Sequence, residues 1–499
     1  MKKFKRFLAC FLVVVFSLIS FLGCSANNTL KRLSKKLTTY SIDAVFCDEE
    51  KKVTAVEKID YINNTETILD SVCFNLYGKA FSECATVKPY AKNKAEACFS
   101  NGINYGDLEI KTVSVENSIV EINFVGVDNN ALEVSLLEPL YAGDRVTIVI
   151  EFVLYLANCT HRLGYMDGKI NLGNWYPIAS IYENGEFNIE PYYSNGDPFY
   201  SECANYNISI CYPDNYTLFA SGEEKENSIS GQTKKTTLKA VVVRDFALML
   251  ANNVNFKTAK VGKTTIKMVA NALDENIDTY LSTAVKTVEL FNKKFGEYPY
   301  STLTVVFTDF FQGGMEYPNF VTVSTQVTEL AEIKKVIVHE IAHQWWYGIV
   351  GNNEIIDAWF DEGLAEYSTM LYFENYKDEG VDSEKLIKDT VISYELYMDV
   401  MKSLNVKINE AMNLPLNEYQ SEYEYVYMVY VKGLLFFNAL RINLGDELFF
   451  KSLKNMFNEY KFKIINKQEF VASIENTTKL NLAEFVEGWL NGTVDISQN

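Results

Sequence analysis

The 499 residues contain only three histidines, His161, His339 and His343. The last two stand four apart in the run His339-Glu340-Ile341-Ala342-His343. Residues i and i+4 lie on one face of a helix, so both imidazoles can reach a single ion. Zinc accepts imidazole nitrogen readily, and a catalytic zinc keeps three protein ligands and leaves a further position for water or substrate. Glu340 projects beside that water and can take its proton. Val336, Ile337, Val338 and Ile341 would bury the helix and hold the ligands stiffly. The chemistry expected here is metal-assisted hydrolysis, with the third ligand on a neighbouring helix. His161 has no such pattern around it and is expected to be structural.

Glu362 occurs in Trp359-Phe360-Asp361-Glu362-Gly363-Leu364-Ala365-Glu366, after an interval of residues 344–361. H-E-x-x-H, that interval, and Glu followed by Gly resemble the aminopeptidase N family of gluzincin metallopeptidases, to which the leukotriene hydrolases also belong. Three further segments are similar to family motifs. His343-Gln344-Trp345 matches H-Q-W, and Trp359 to Gly363 resembles W-L-N-E-G with Asp361 in the Asn place. Gly313-Gly314-Met315-Glu316-Tyr317 resembles G-A-M-E-N, with Tyr317 where the family has Asn.

The resemblance implies one Zn2+ per chain held by His339, His343 and Glu362. It also implies that Glu316 grips the free α-amine of a peptide, with Gly313, Gly314 and Met315 lining the substrate strand. A carboxylate pairs favourably with an ammonium group, and the glycines would let backbone approach substrate. Downstream, Tyr430-Val431-Lys432-Gly433 resembles Y-x-K-G, whose tyrosine donates to the oxyanion. Tyr430 is therefore the expected donor and Tyr427 the alternative in the same tyrosine-rich run. Glu366, one helical turn after Glu362, is a candidate to orient a ligand histidine from behind.

These residues need rigid elements to position them. Ile277 to Phe295 carries helical apolar spacing and is closed by Gly296 and Pro299. Leu303–Phe307 and Phe320–Val323 are strand candidates. A helix is expected from about Glu329 to Tyr347, closed by Gly348, and another from near Asp361. From about Ser383 the chain is mainly helical, with its last strong helix near Leu482–Leu490. Before residue 254 the pattern is β. Val53–Ile62 alternates loosely, Val146–Val153 is β-branched, and Tyr206–Tyr212 alternates up to Pro213.

The expected organisation is a β domain over 40–254 and a thermolysin-like α+β zinc peptidase domain over 255–499. No Pro- or Gly/Ser-rich linker divides them, so firm packing is expected. The family resemblance is specific from about Phe295 to Gly433. Trp175-Tyr176-Pro177 and Asn195-Gly196-Asp197 are similar to bacterial members. Many relatives carry a further large helical domain, for which this chain is too short; a more open cleft is the expected consequence.

Basic residues number 46 against 65 acidic, a net charge of −19, which argues against a nucleic-acid partner. Lys2, Lys3, Lys5 and Arg6 precede an apolar run over 7–22, the pattern of a secretory signal over 1–23. Phe21-Leu22-Gly23-Cys24 resembles a bacterial lipoprotein signal, with Phe21 where Leu is usual. That likeness implies lipidation of Cys24 and attachment to the cell membrane from outside the cytoplasm, with a plain cleaved signal and secretion, or an uncleaved anchor, as the alternatives; the polar, basic residues of 24–39 read as a spacer. Cys47, Cys73, Cys84, Cys98, Cys159, Cys203 and Cys211 form no C-x-x-C pair, so a cysteine zinc site is not expected. The activity expected is removal of N-terminal residues from peptides by a monomer. Endopeptidase action at the same zinc, or a surface lipoprotein that only binds peptides, are the alternatives.

Overall fold

A computed structural model describes residues 29–494 and 496. The expected signal segment and Cys24 lie outside the described residues. Within the expected spacer, residues 29–34 are helical and Leu30 is buried against the body.

Alternation of apolar and polar side chains builds the first half. Along Thr39–Cys47 and Lys52–Ile62 every second residue is buried, the period that turns one face of a strand inward. These strands are central in an eight-stranded sheet. On one side follow Arg145–Tyr155, Asp107–Val115 and Ser118–Ile119. On the other lie Ala204–Pro213, Thr233–Val243 and Glu223–Ser230. All neighbours are antiparallel except Thr39–Cys47 with Ala204–Pro213. Two four-stranded sheets, one of them containing Leu163–Met166 and Lys169–Leu172, and the two-stranded pair Tyr182–Glu183 and Glu186–Phe187 complete this β half. Cys73, Cys98, Cys159 and Cys203 are buried, and all seven described cysteines are free thiols.

The second half starts with a five-stranded sheet. In chain order its strands are β1 (Val254–Val261), β2 (Thr264–Asn271), β3 (Thr302–Thr308), β4 (Gly314–Met315) and β5 (Phe320–Ser324), in spatial order β1-β2-β3-β5-β4. Helix α1 (Ile277–Lys294) makes the crossover between the parallel strands β2 and β3. Then come α2 (Leu330–Ala342), α3 (Ala358–Asn375) and α4 (Ser383–Ser403). A π-helical turn, Val426–Val431, leads into α5 (Lys432–Tyr460), which is broken at Gly445. Helices α6 (Lys467–Thr478) and α7 (Ala483–Leu490) close the fold. Helix α3 is buried on nearly every side, the mark of a helix inside a core rather than on its surface.

One hydrophobic core runs through both halves. Arg244, 2% exposed, ties them. Its guanidinium donates to the carbonyls of Ser201, Tyr347 and Lys463, and a Cβ on Gly351 would lie 2.2 Å from its Cζ. Tyr317 is a second tie. Its ring is buried and its hydroxyl donates to Asn174 Oδ1 at 3.1 Å, above the bare backbone of Gly173. The family's Asn is thus replaced by a residue that faces the β half. His161 is also structural, as expected. It is fully buried among Phe81, Tyr192, Phe310 and Phe311, with Nε2 3.0 Å from the Pro89 carbonyl.

Candidate metal centre and substrate cleft

Helix α2 buries Ile333, Ile337, Val338 and Ile341, so its opposite edge is held still against the cleft. Regular helix ends at Ala342, earlier than the expected Tyr347, with His343 as the capping residue. The chain then folds back on itself. Gly348 N–H donates to the His343 carbonyl, Val350 N–H donates to the Trp345 carbonyl, and Tyr347 adopts φ 122°. The helix containing Glu362 begins at Ala358, three residues before the expected start.

This arrangement brings three donor atoms together. His339 Nε2 and His343 Nε2 are 3.1 Å apart, and Glu362 Oε2 is 3.2 Å from the first and 3.3 Å from the second. A tetrahedral ion bound at about 2.0–2.1 Å keeps its ligand atoms about 3.3 Å apart, so the spacing fits zinc. Two imidazole nitrogens facing each other also repel unless a proton or a cation lies between them. Each outer nitrogen has an oxygen beside it. His343 Nδ1 is 3.1 Å from the Trp346 carbonyl, and His339 Nδ1 is 3.1 Å from Glu366 Oε1. Protons on both Nδ1 atoms leave both Nε2 lone pairs free for a metal.

The electrostatics favour positive charge at this point. Burial alone would lower the His343 pKa, but Glu316 and Glu362 push it up to about 10. Metal uptake would therefore release protons. For Glu362, burial acts upward and is outweighed by His343 and His339, which hold its carboxyl well below the ordinary range. Glu340 is 6% exposed, and burial pushes its carboxyl up to about 7 against the pull of both imidazoles. A group titrating there suits a general base near neutral pH.

Glu316 follows the edge strand β4, which pairs only with β5 through Gly314 to Val323 and Met315 to Thr322. The open edge of such a strand can accept an extended peptide. Gly314 is required for space: a Cβ there would lie 2.3 Å from Glu340 Oε1. Gly313 is under no such constraint. Met315 was expected beside the substrate, but its side chain is fully buried and absent from the cleft wall, because alternation on β4 turns it into the core. Gln344 binds this strand to the histidine segment. Its Nε2 donates to the carbonyls of Glu316 and Tyr317, and its Oε1 accepts from Asn319 N–H.

Tyr430 stacks on His339 with ring centroids 5.8 Å apart, and its hydroxyl donates to Glu362 Oε1. It sits on the π-helical turn, a feature that often marks functional sites. The wider turn puts Tyr425 and Tyr430, five residues apart, on the same cleft wall. Tyr427 points elsewhere, stacked on Tyr397 at 4.1 Å and bonded to Ser393.

The cleft has a volume of about 490 Å³ and runs between the two halves of the chain. The β half contributes Asp197, which sequence reasoning did not single out as a site residue. Asp197 is paired with the buried Arg162, and its carboxylate lies within 4.8 Å of carboxylate oxygens of Glu316 and Glu362. The available signal was Gly196, whose φ of 62° and lack of a side chain let the loop close onto Tyr425.

Residues 279–489 match the Peptidase family M1 domain. The chain is 24% identical to glutamyl aminopeptidase of Bos taurus over 58% of its own length and 31% of that protein. It is 26% identical to aminopeptidase N of Lactobacillus delbrueckii subsp. lactis over 42% of its length and 26% of the relative's. The second half of the chain, which holds the candidate metal centre, is thus similar to the peptidase family M1 domain. The chain spans about a third of the length of these curated relatives. A crystal structure of an M1 zinc metallopeptidase from Deinococcus radiodurans has the same fold, with TM-score 0.65 and 16% identity. The match covers 92% of this chain and 95% of that one, so both halves of the fold are shared. The M1 zinc is accommodated by the donor set of His339, His343 and Glu362.

Proposed function

We propose that this chain is an M1-type aminopeptidase that acts on peptides outside the cytoplasm, held at the membrane through Cys24. One observation carries the choice of aminopeptidase over endopeptidase: the cleft floor holds two buried carboxylates, Glu316 and Asp197, close to the metal ligand Glu362. Asp197 is paired with Arg162, but Glu316 Oε1 has no partner; a buried carboxylate without compensation is costly, and a peptide's ammonium terminus would supply the missing partner. That placement fixes the scissile bond one residue from the end.

Zinc bound by His339, His343 and Glu362 would supply Lewis acidity, polarising the scissile carbonyl and lowering the pKa of a water. Glu340 takes the proton from the attacking water and later delivers it to the leaving nitrogen. Tyr430 turns its hydroxyl from Glu362 to the carbonyl oxygen as negative charge develops there. Glu366 and the Trp346 carbonyl keep the imidazoles in the required tautomer.

Peptides of one sequence with free and with N-acetylated termini test the reading. Cleavage of the free peptide alone, one residue at a time, is expected. Equal cleavage of both would assign the chain to the endopeptidases. Membrane attachment is tested by lipid labelling, which Cys24→Ala should abolish.

A further inference from the structure

The amine-binding carboxylates have a second capacity. Asp197, Glu316 and Glu362 are 7%, 3% and 3% exposed, and each offers an oxygen within 4.8 Å of the other two. Among the described residues, Glu316 Oε1 has no hydrogen-bond partner. The Tyr425 hydroxyl, on the same cleft wall and in a residue 3% exposed, is likewise without one. Nearby, Glu340, Glu354 and Asp361 are buried too. Arg162 pairs with Asp197, buried Arg244 acts on Glu354, and His339 and His343 would hold a cation with Glu362. Glu316 Oε1 and the Tyr425 hydroxyl are therefore left without a partner when no substrate amine is present. A third group of candidate ligands, Glu316, His343 and Asp361, is excluded because His343 Nδ1 faces the Trp346 carbonyl.

We propose that Asp197, Glu316 and Glu362, with the Tyr425 hydroxyl, form a second divalent-cation site that the amino terminus of the substrate displaces. This rests on the amine-anchoring reading given above. Ligands that are all oxygen select hard cations. Glu362 belongs to both donor groups, so two cations would share one carboxylate, as in sites whose ions sit about 3.5–4 Å apart. Surplus divalent metal is then an inhibitor that competes with the peptide's amine, and local metal concentration regulates the enzyme.

Mn2+ is the probe, titrated into the zinc-loaded full chain and followed by the electron paramagnetic resonance of free Mn2+. Zinc outcompetes manganese at a nitrogen-containing site, so zinc content stays constant while one Mn2+ binds per chain. KM for a free-amine peptide should rise with Mn2+ while kcat holds. A dipeptide with a free amine should expel Mn2+, and its N-acetylated form should not. Asp197→Asn should weaken Mn2+ binding about tenfold or more while keeping zinc. Glu316→Gln should do the same and serves if the first variant does not fold. Absence of Mn2+ binding at millimolar concentration, or binding untouched by both substitutions, would overturn the proposal. If Mn2+ binds as described but free and blocked peptides are cut alike, the cation site stands and the amine role falls.

Discussion

Helices α3 and α5 cross where Gly363 meets Gly433, next to Glu362 on one and near Tyr430 before the other. A Cβ on Gly433 would lie 2.6 Å from Gly363 Cα, and one on Gly363 would lie 3.0 Å from Gly433 Cα. Carbon atoms pack at about 3.5–4.0 Å, so Gly433→Ala must part the two backbones by about 1 Å. Two effects oppose each other. Alanine favours the helix over glycine by about 1 kcal/mol, whereas overpacking a tight contact costs about 1–3 kcal/mol. Here the obstacle is backbone rather than a mobile side-chain tip, which places the cost at the upper end, and a net loss of about 1–2 kcal/mol is expected. The catalytic effect should be larger. The same parting withdraws Tyr430 from Glu362, and a displacement of about 1 Å costs roughly a hundredfold in rate. Urea unfolding and steady-state kinetics on a free-amine peptide measure both quantities. An alanine variant of equal or greater stability with unchanged kcat would refute the packing argument.

Tyr430→Phe should lower kcat by about 10²–10³-fold, whereas Tyr427→Phe, which breaks only the bond to Ser393, should leave kcat within about twofold; the pair is compared on one peptide. Glu340→Gln should keep its zinc, measured by elemental analysis, while turnover falls by several orders of magnitude; near-normal turnover would rule out Glu340 as the base. Burial lowers the pKa of His161 from 6.5 to about 3. Its contribution to stability is therefore complete above pH 6.5 and is lost as pH falls toward 3, by about 5 kcal/mol. Unfolding curves of wild type and His161→Phe across that range should converge in acid; parallel curves would show that His161 is not the group responsible.

The two histidines of the candidate metal centre were legible because a helix gives i and i+4 a common face whatever surrounds it, whereas Glu362 was reached through the resemblance to a family motif. The strands Lys52–Ile62 and Thr302–Thr308 were legible for the same local reason, through alternation or a β-branched run. What stayed hidden depends on departures from the regular repeat. The pairing of Tyr425 with Tyr430 follows from a π-helical turn, which no 3.6-residue pattern reveals. The early end of α2 follows from a backbone reversal at Tyr347. Asp197 is separated from Glu316 by more than a hundred residues of chain, and only the docking of the two halves brings them together. Tyr317, in the Asn place of the family motif, is a bolt to Asn174 that depends on Gly173 far upstream.

Asp197 also has a bearing on how such an enzyme diversifies. The groups proposed to break the bond all lie after residue 338, while Asp197, one of the groups proposed to bind the peptide's amine, comes from the β half. Variation in the 194–197 loop could retune which chain ends are accepted and leave the hydrolytic apparatus untouched. The reverse also holds: a fragment consisting of the metal-bearing half alone would retain the means to cut and lose part of its means of locating the end.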